Sequence, residues 1–348
     1  MKVVIIGGGF CGITIAKKLE SDKDISVTLI DKKTYFEYTP SAIFCITHPS
    51  YQKKIRIAYQ NILSKTKLVT DEIKSMSDKA ITTSHQSIEY DYAVICTGST
   101  YPIFLSSKTN VYTLSSCNEA LGVSKALQHA KKIVIVGGGY IGVEVAGQLA
   151  TKHKNISLTL IHSGSKLLER SSPLASKNAV QFLSKKGISF LFNDKVVDHP
   201  KPHIFVTKKG ETIQADLCIW CAGIAADTSF LDKSLSSCKD KKGKIQVNKY
   251  LQLETYPHIF AGGDICDTVE EKTAQNAKHH GYCIASNLLR IKKNQPLKSY
   301  RKHLSPQLIS LGERYGILEV DEIVLYSNFF GLGKFIIEWY TIGQLNAQ

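Results

Sequence analysis

The chain has 348 residues, enough for two or three domains with sizeable cores, and its 43% hydrophobic and 21% charged residues are ordinary for a globular protein, which excludes a disordered or fibrous chain. Its 44 Lys and Arg against 30 Asp and Glu leave a net charge of +14, which suits an anionic membrane face or anionic cofactors; nucleic acid is not expected, because the Lys pairs are scattered and no aromatic-spaced basic stripe occurs. Nine cysteines, odd in number, irregularly spaced and mostly set in apolar runs, point to buried thiols in a reducing compartment and not to a disulfide framework or a metal site.

The opening MKVVIIGGG reads as a strand over residues 3–6 and not as an export signal. Gly7, Gly9 and Gly12 follow in the G-x-G-x-x-G spacing that opens a helix through Leu19, and a strand over residues 27–30 ends at Asp31, where an acid can accept the hydroxyls of an adenosine ribose. Residues 35–49 read as an aromatic loop in which Pro40 either packs a connection or lies against a cofactor ring. Residues 91–99, DYAVICTGS, are a strand running into Thr97 and Gly98, where the backbone can approach a ligand.

At residue 133 the pattern starts again. IVIVGGGYIGVEVAG gives a strand, Gly137, Gly139 and Gly142 in the same spacing, and a helix carrying Glu144 two residues past the last glycine. A strand over 158–161, a helix near 175–186 and DLCIWCAGI with Gly223 complete a second half that mirrors the first. Cys218 and Cys221 form a C-x-x-C, but within what reads as a buried strand. Where the ribose acid should stand there is His162, so the linear pattern leaves both NADH and NADPH as substrates.

The return segment YPHIFAGGDICD places Asp264 after a strand, either to bind a flavin hydroxyl or to cap the next helix. That helix, over 273–289, either is an ordinary capped helix or presents Gln275 and His280 to a substrate. In the tail, residues 328–345, Leu332, Phe335, Ile336, Trp339 and Ile342 share one helical face and Lys334, Glu338, Thr341 and Gln344 the other. Such a helix either docks on the core or anchors the protein to one face of a membrane. No run of about 18 apolar residues offers a spanning helix.

Two dinucleotide folds joined by TGS, CAG and GGD returns resemble the flavoprotein disulfide-reductase superfamily, and within it the type II NADH dehydrogenases and the ferroptosis-suppressor group. The resemblance implies an α/β fold with two Rossmann-like dinucleotide-binding domains: FAD on 1–108 and 240–295, NAD(P)H on 109–239, and a membrane-binding C-terminal region, 296–348. It implies FAD contacts at Gly7, Gly9, Gly12, Asp31, Thr97, Gly98 and Asp264, and NADH or NADPH contacts at Gly137, Gly139, Gly142 and Gly223. Glu144 matches the family glutamate beside the nicotinamide and flavin rings, where a carboxylate can orient a carboxamide and relay a proton. Ala274, Gln275 and Ala277 match the quinone-side motif of the dehydrogenases, with His280 in place of its last glutamine. The implied activity is NAD(P)H:quinone oxidoreduction by a peripheral protein on the cytoplasmic side of a membrane, with homodimerisation left open.

Other acceptors remain open at this level. Cys45 is the only cysteine between the first fold and the TGS return. That argues against a dithiol relay and for a single-cysteine oxidase, peroxidase or coenzyme A disulfide reductase as the alternative. A sulfide:quinone enzyme would use separated cysteines, for which Cys117 and Cys283 are available, and a redox sensor that merely binds NAD(P)H is the non-enzymatic alternative.

Overall fold

Short apolar strands alternating with glycine turns and helices require parallel pairing, because each helix carries the chain back across the sheet before the next strand begins. The computed structural model describes residues 1–303 and 306–346; Leu304, Ser305, Ala347 and Gln348, the last two at the end of the expected tail, lie outside the described residues. The first sheet has five parallel strands in the order Ile259–Ala261, Tyr92–Ile95, Lys2–Ile6, Ser26–Asp31 and Lys67–Thr70. A second matches it in its last four strands, with Val111–Tyr112, Leu217–Trp220, Lys132–Val136, Ser157–His162 and Ser189–Phe192, but its edge strand Val111–Tyr112 comes first in the chain where Ile259–Ala261 comes last. Both central strands are buried beyond their first lysine, as sheets covered on two faces demand.

The helices are α1 (Phe10–Leu19), α2 (Gln52–Ile55), α3 (Cys117–Ala126), α4 (Tyr140–Lys152), α5 (Pro173–Lys185), α6 (Ala274–Lys292) and α7 (Phe330–Asn346). Each glycine turn sits at the carboxyl end of a central strand and opens α1 or α4, the switch point at which such sheets bind ligands. Among the described residues no helix is long and apolar enough to cross a membrane.

Three expectations change. Residues 35–49 are not a loop: Tyr35–Glu37 pairs antiparallel with Arg56–Ala58, and Thr39–Ile46 forms a 3-10 helix buried from Ser41 onward, because its run AIFCI has apolar surface to cover. The second unit also ends before residue 239. Leu231, Leu235 and Cys238 pack with Met76, Ile245 and Leu253 in the core of the first sheet, so burial returns the chain there early.

The third change concerns the tail. Residues 307–327 form an unforeseen three-stranded antiparallel sheet of Gln307–Leu311, Tyr315–Val320 and Ile323–Ser327, on which α7 lies. Gly331 makes that contact, since a Cβ there would strike the Arg314 carbonyl. The two faces of α7 divide much as expected, but the polar one points inward. Glu338 is 0% exposed, takes the Tyr51 hydroxyl at 2.9 Å and pairs with Lys54 at 3.0 Å. Lys17 Nζ donates to the carbonyls of Gln344 and Leu345 at 2.9 Å, closing the end of the helix. Only Phe335 and Ile342 of the apolar set turn toward the core, Phe335 stacking on Phe44 at 4.8 Å, while Ile336 and Trp339 are 65% and 72% exposed.

A buried carboxylate stripped of its donors is expensive. Tyr51→Phe with Lys54→Ala is expected to destabilise the fold by about 3 kcal/mol, and Glu338→Gln by clearly less. Urea unfolding of the three chains checks the order.

Candidate functional site

The two glycine turns have nearly the same geometry. Gly7 and Gly137 adopt φ of +95° and +111°, and a Cβ at either would lie 2.5 Å or 2.7 Å from the carbonyl oxygen of Cys96 or Cys221 on the neighbouring strand. Gly12 and Gly142 sit so close to the carbonyls of Gly7 and Gly137 that no side chain fits. Gly9 and Gly139, the N-caps of α1 and α4, have no atom near the place of a Cβ and carry no side-chain cap, so the first-turn N–H groups of both helices are left for a ligand. Gly98 and Gly223, at φ of +74° and +76° after the next strand, are open in the same way. These cradles fit the pyrophosphates of two dinucleotides.

Around the first cradle, Asp31 Oδ2 accepts the Gly8 N–H at 2.6 Å and the Tyr59 hydroxyl at 3.0 Å, while Oδ1 accepts from Lys33 N–H. Tyr59, from a segment with no motif, escaped the sequence reading. Pro40 stands half-buried in the first turn of the 3-10 helix, and Thr97 is exposed beside Gly98. Asp264 accepts from Ser99 Oγ at 3.2 Å, and burial pushes its carboxyl above the usual range. It does not cap α6, whose N-cap is Thr273.

Around the second cradle, His162 Nδ1 accepts the Gly138 N–H at 3.1 Å, the task that Asp31 performs for Gly8. Glu144, on the buried side of α4 and only 7% exposed, accepts the backbone N–H of Ser310 on Oε1 at 2.9 Å, and the same oxygen pairs with Lys334 of α7. Neither partner was anticipated, since 166 residues separate Glu144 from Ser310. A cleft of about 1100 Å³ lies at the starts of α4 and α6, lined by Tyr140, Arg170, Lys244, Thr268, Asn276 and Gln307.

Gln275 and His280 do not share a face. Gln275 is exposed, whereas His280 is 1% exposed and turned inward, against its expected contact with a substrate. The Gly263 N–H donates to His280 Nδ1 at 2.9 Å, and Nε2 lies 2.5 Å from Glu270, which also accepts the Tyr300 hydroxyl. Glu270 favours a charged imidazole, but the Gly263 N–H needs the Nδ1 lone pair, so the proton sits on Nε2. His280 thus braces the Gly262-Gly263 return. Its spacing to Ile284 and Leu288, one turn and two turns on, marks the buried stripe of α6.

The cysteines are redistributed. Cys45 and Cys117 are both fully buried and their Sγ atoms lie 2.8 Å apart, so Cys45 is not alone. Cys283 instead borders Asn287 and the Lys298 carbonyl, away from Cys117. Cys221 follows directly on the strand Leu217–Trp220, and burial pushes its thiol up to about 12. Among the described residues no cluster of His, Cys, Asp and Glu could hold a metal ion.

Comparison with known proteins agrees with this geometry. Apoptosis-inducing factor homolog A of Dictyostelium discoideum is 30% identical over 94% of this chain and 87% of its own length. Ferroptosis suppressor protein 1 of Mus musculus is 28% identical over 91% and 88%. Among solved structures, the sulfide:quinone oxidoreductase of Aquifex aeolicus superposes with a TM-score of 0.89 at 20% identity, covering 99% of this chain and 91% of that one. NDH2 of Plasmodium falciparum in complex with NADH gives 0.87 at 18%, covering 98% and 94%. At such identities these two establish the fold alone. Residues 1–281 match the model of one family, and the chain belongs to it: the pyridine nucleotide-disulphide oxidoreductases.

Proposed function

We propose that the protein is an FAD-dependent NAD(P)H:quinone oxidoreductase bound peripherally to a membrane. One observation carries the reading: α7 sets Lys334 on the Glu144 carboxylate with its inner face and exposes Ile336, Trp339 and Tyr340 with its outer one. A single helix therefore joins a buried polar site to an apolar surface. Ile323, Leu325 and Phe329 extend that surface, which suits an acceptor that arrives from lipid. Similarity to ferroptosis suppressor protein 1, to a sulfide:quinone oxidoreductase and to an NADH-bound NDH2 supports the same reading.

FAD, when bound, supplies the ability to take up a hydride and release two electrons. The N–H groups at the start of α1, with Gly7, Gly9 and Gly12, would hold its pyrophosphate; Asp31 would take ribose hydroxyls; Pro40, Thr97, Gly98 and Asp264 would line its remaining length. Gly137, Gly139, Gly142, His162 and Gly223 would hold the nicotinamide dinucleotide. Glu144, fixed on one oxygen by Ser310 and Lys334, orients the carboxamide and carries a proton during turnover. Lys334 supplies its counter-charge and so acts as a positioning residue.

A second reading rests on the Cys45–Cys117 contact, which gives the chain a candidate dithiol. Steady-state NADH oxidation with ubiquinone and menaquinone analogues separates the two: Cys45→Ser and Cys117→Ser should leave turnover within about twofold, and its loss in both would overturn the quinone reading in favour of a thiol acceptor. Glu144→Gln is expected to retain FAD, read from the flavin spectrum, and to lower kcat by roughly a hundredfold. Ile336→Glu with Trp339→Glu should release the protein from anionic liposomes in flotation while reduction of a water-soluble quinone persists, because both side chains are on the exposed side of α7.

A further inference from the structure

The second cradle has a carboxylate that the strand-end position alone does not reveal. His162 spends Nδ1 on the Gly138 N–H, and its Nε2 is buried with no hydrogen bond of its own. Glu169 Oε2 lies 3.7 Å from that nitrogen, from a side chain that is half exposed. The pair thus faces the place where Asp31 stands in the first unit.

Three features place Glu169 there. The N–H of Leu168 donates to the Gly138 carbonyl at 2.8 Å, tying the segment to the glycine turn itself. Leu168 is 2% exposed and sits at φ +52°, a left-handed conformation that a buried leucine keeps only under surrounding constraint. Gly164, with no Cβ, leaves the Glu169 carboxylate the space beside it that it occupies in this position. The neighbouring Arg170 does not neutralise this corner: its guanidinium lies over the Tyr140 ring and pairs with Glu271 at 3.0 Å.

We propose that Glu169 reads the adenosine 2′ position of the nicotinamide dinucleotide, accepting a 2′-hydroxyl and repelling a 2′-phosphate, so that the protein is an NADH enzyme. Burial holds the His162 imidazole below its ordinary range despite Glu169. His162 alone left both dinucleotides open; Glu169 closes the choice. The inference rests on the assignment of the second glycine turn to the nicotinamide cofactor.

Dissociation constants of NAD⁺ and NADP⁺ for the FAD-loaded protein, measured by calorimetry, test it without turnover. The unmodified chain should bind NAD⁺ at least about tenfold more tightly; Glu169→Gln should bring the two within about threefold, chiefly by tightening NADP⁺, and Glu169→Arg should invert the order. Adenosine 2′,5′-bisphosphate against AMP should follow the same pattern. Equal affinities in the unmodified protein, or a ratio that Glu169→Gln does not move, would overturn the proposal. If neither dinucleotide binds, the cofactor assignment itself fails and this inference falls with it. If NAD⁺ binds and only the preference is missing, the assignment stands and the role of Glu169 alone is rejected.

Discussion

A carboxylate taken out of water must be met by donors and an opposite charge, and at Glu144 that requirement organises the molecule. The helix that carries Glu144 follows a glycine turn and has no basic residue in its first turns. Its compensation comes from the C-terminal unit, as the Ser310 N–H and the Lys334 ammonium. That demand explains why α7 docks by its polar side. Glu338 repeats the device nearby, meeting Tyr51 and Lys54 of the first unit, so the tail is pinned to both nucleotide units by buried charge. With Lys334, Glu338 and Thr341 turned inward, the helix presents a mainly apolar side outward, Leu332, Ile336, Ile337 and Trp339 among it.

The two nucleotide units show how far one backbone solution can be specialised. The order of four of their five strands, their glycine conformations and their uncapped helix starts coincide. What differs is the residue that takes the second glycine's N–H, Asp31 in one and His162 in the other, and what then surrounds it: Tyr59 in the first unit, Glu169 in the second. The phosphate cradle is set by backbone geometry and is tolerant of sequence. The ribose corner is set by side chains and is not.

The parallel sheets and both cradles were legible in the sequence because their signals are local: four or five apolar residues, then glycines at fixed spacing. What escaped has long-range causes. Cys45 meets Cys117 across 72 residues, and Glu169 reaches His162 only because a strained Leu168 folds the chain back on Gly138. Helical periodicity divided α7 only in part, since Phe335 and Ile342 turn inward with Lys334, Glu338 and Thr341 while Gln344 is exposed, and it could not say which side the core would take, since the deciding partners lie in distant segments. For His280 the spacing to Ile284 and Leu288 held the answer, but the motif match drew attention outward.

The contact of Lys17 with the end of α7 spans 327 and 328 residues of chain, and few contacts in the fold are more remote in sequence. Docking such a helix closes a very long loop, and the entropy of that closure is set against every contact it makes. Opening it removes the Lys334 ammonium from Glu144 and leaves the glycine cradles intact. The docked position of α7 therefore decides whether the Glu144 carboxylate keeps its counter-charge, and surroundings that favour the exposed apolar side of α7 in that position favour the pairing as well.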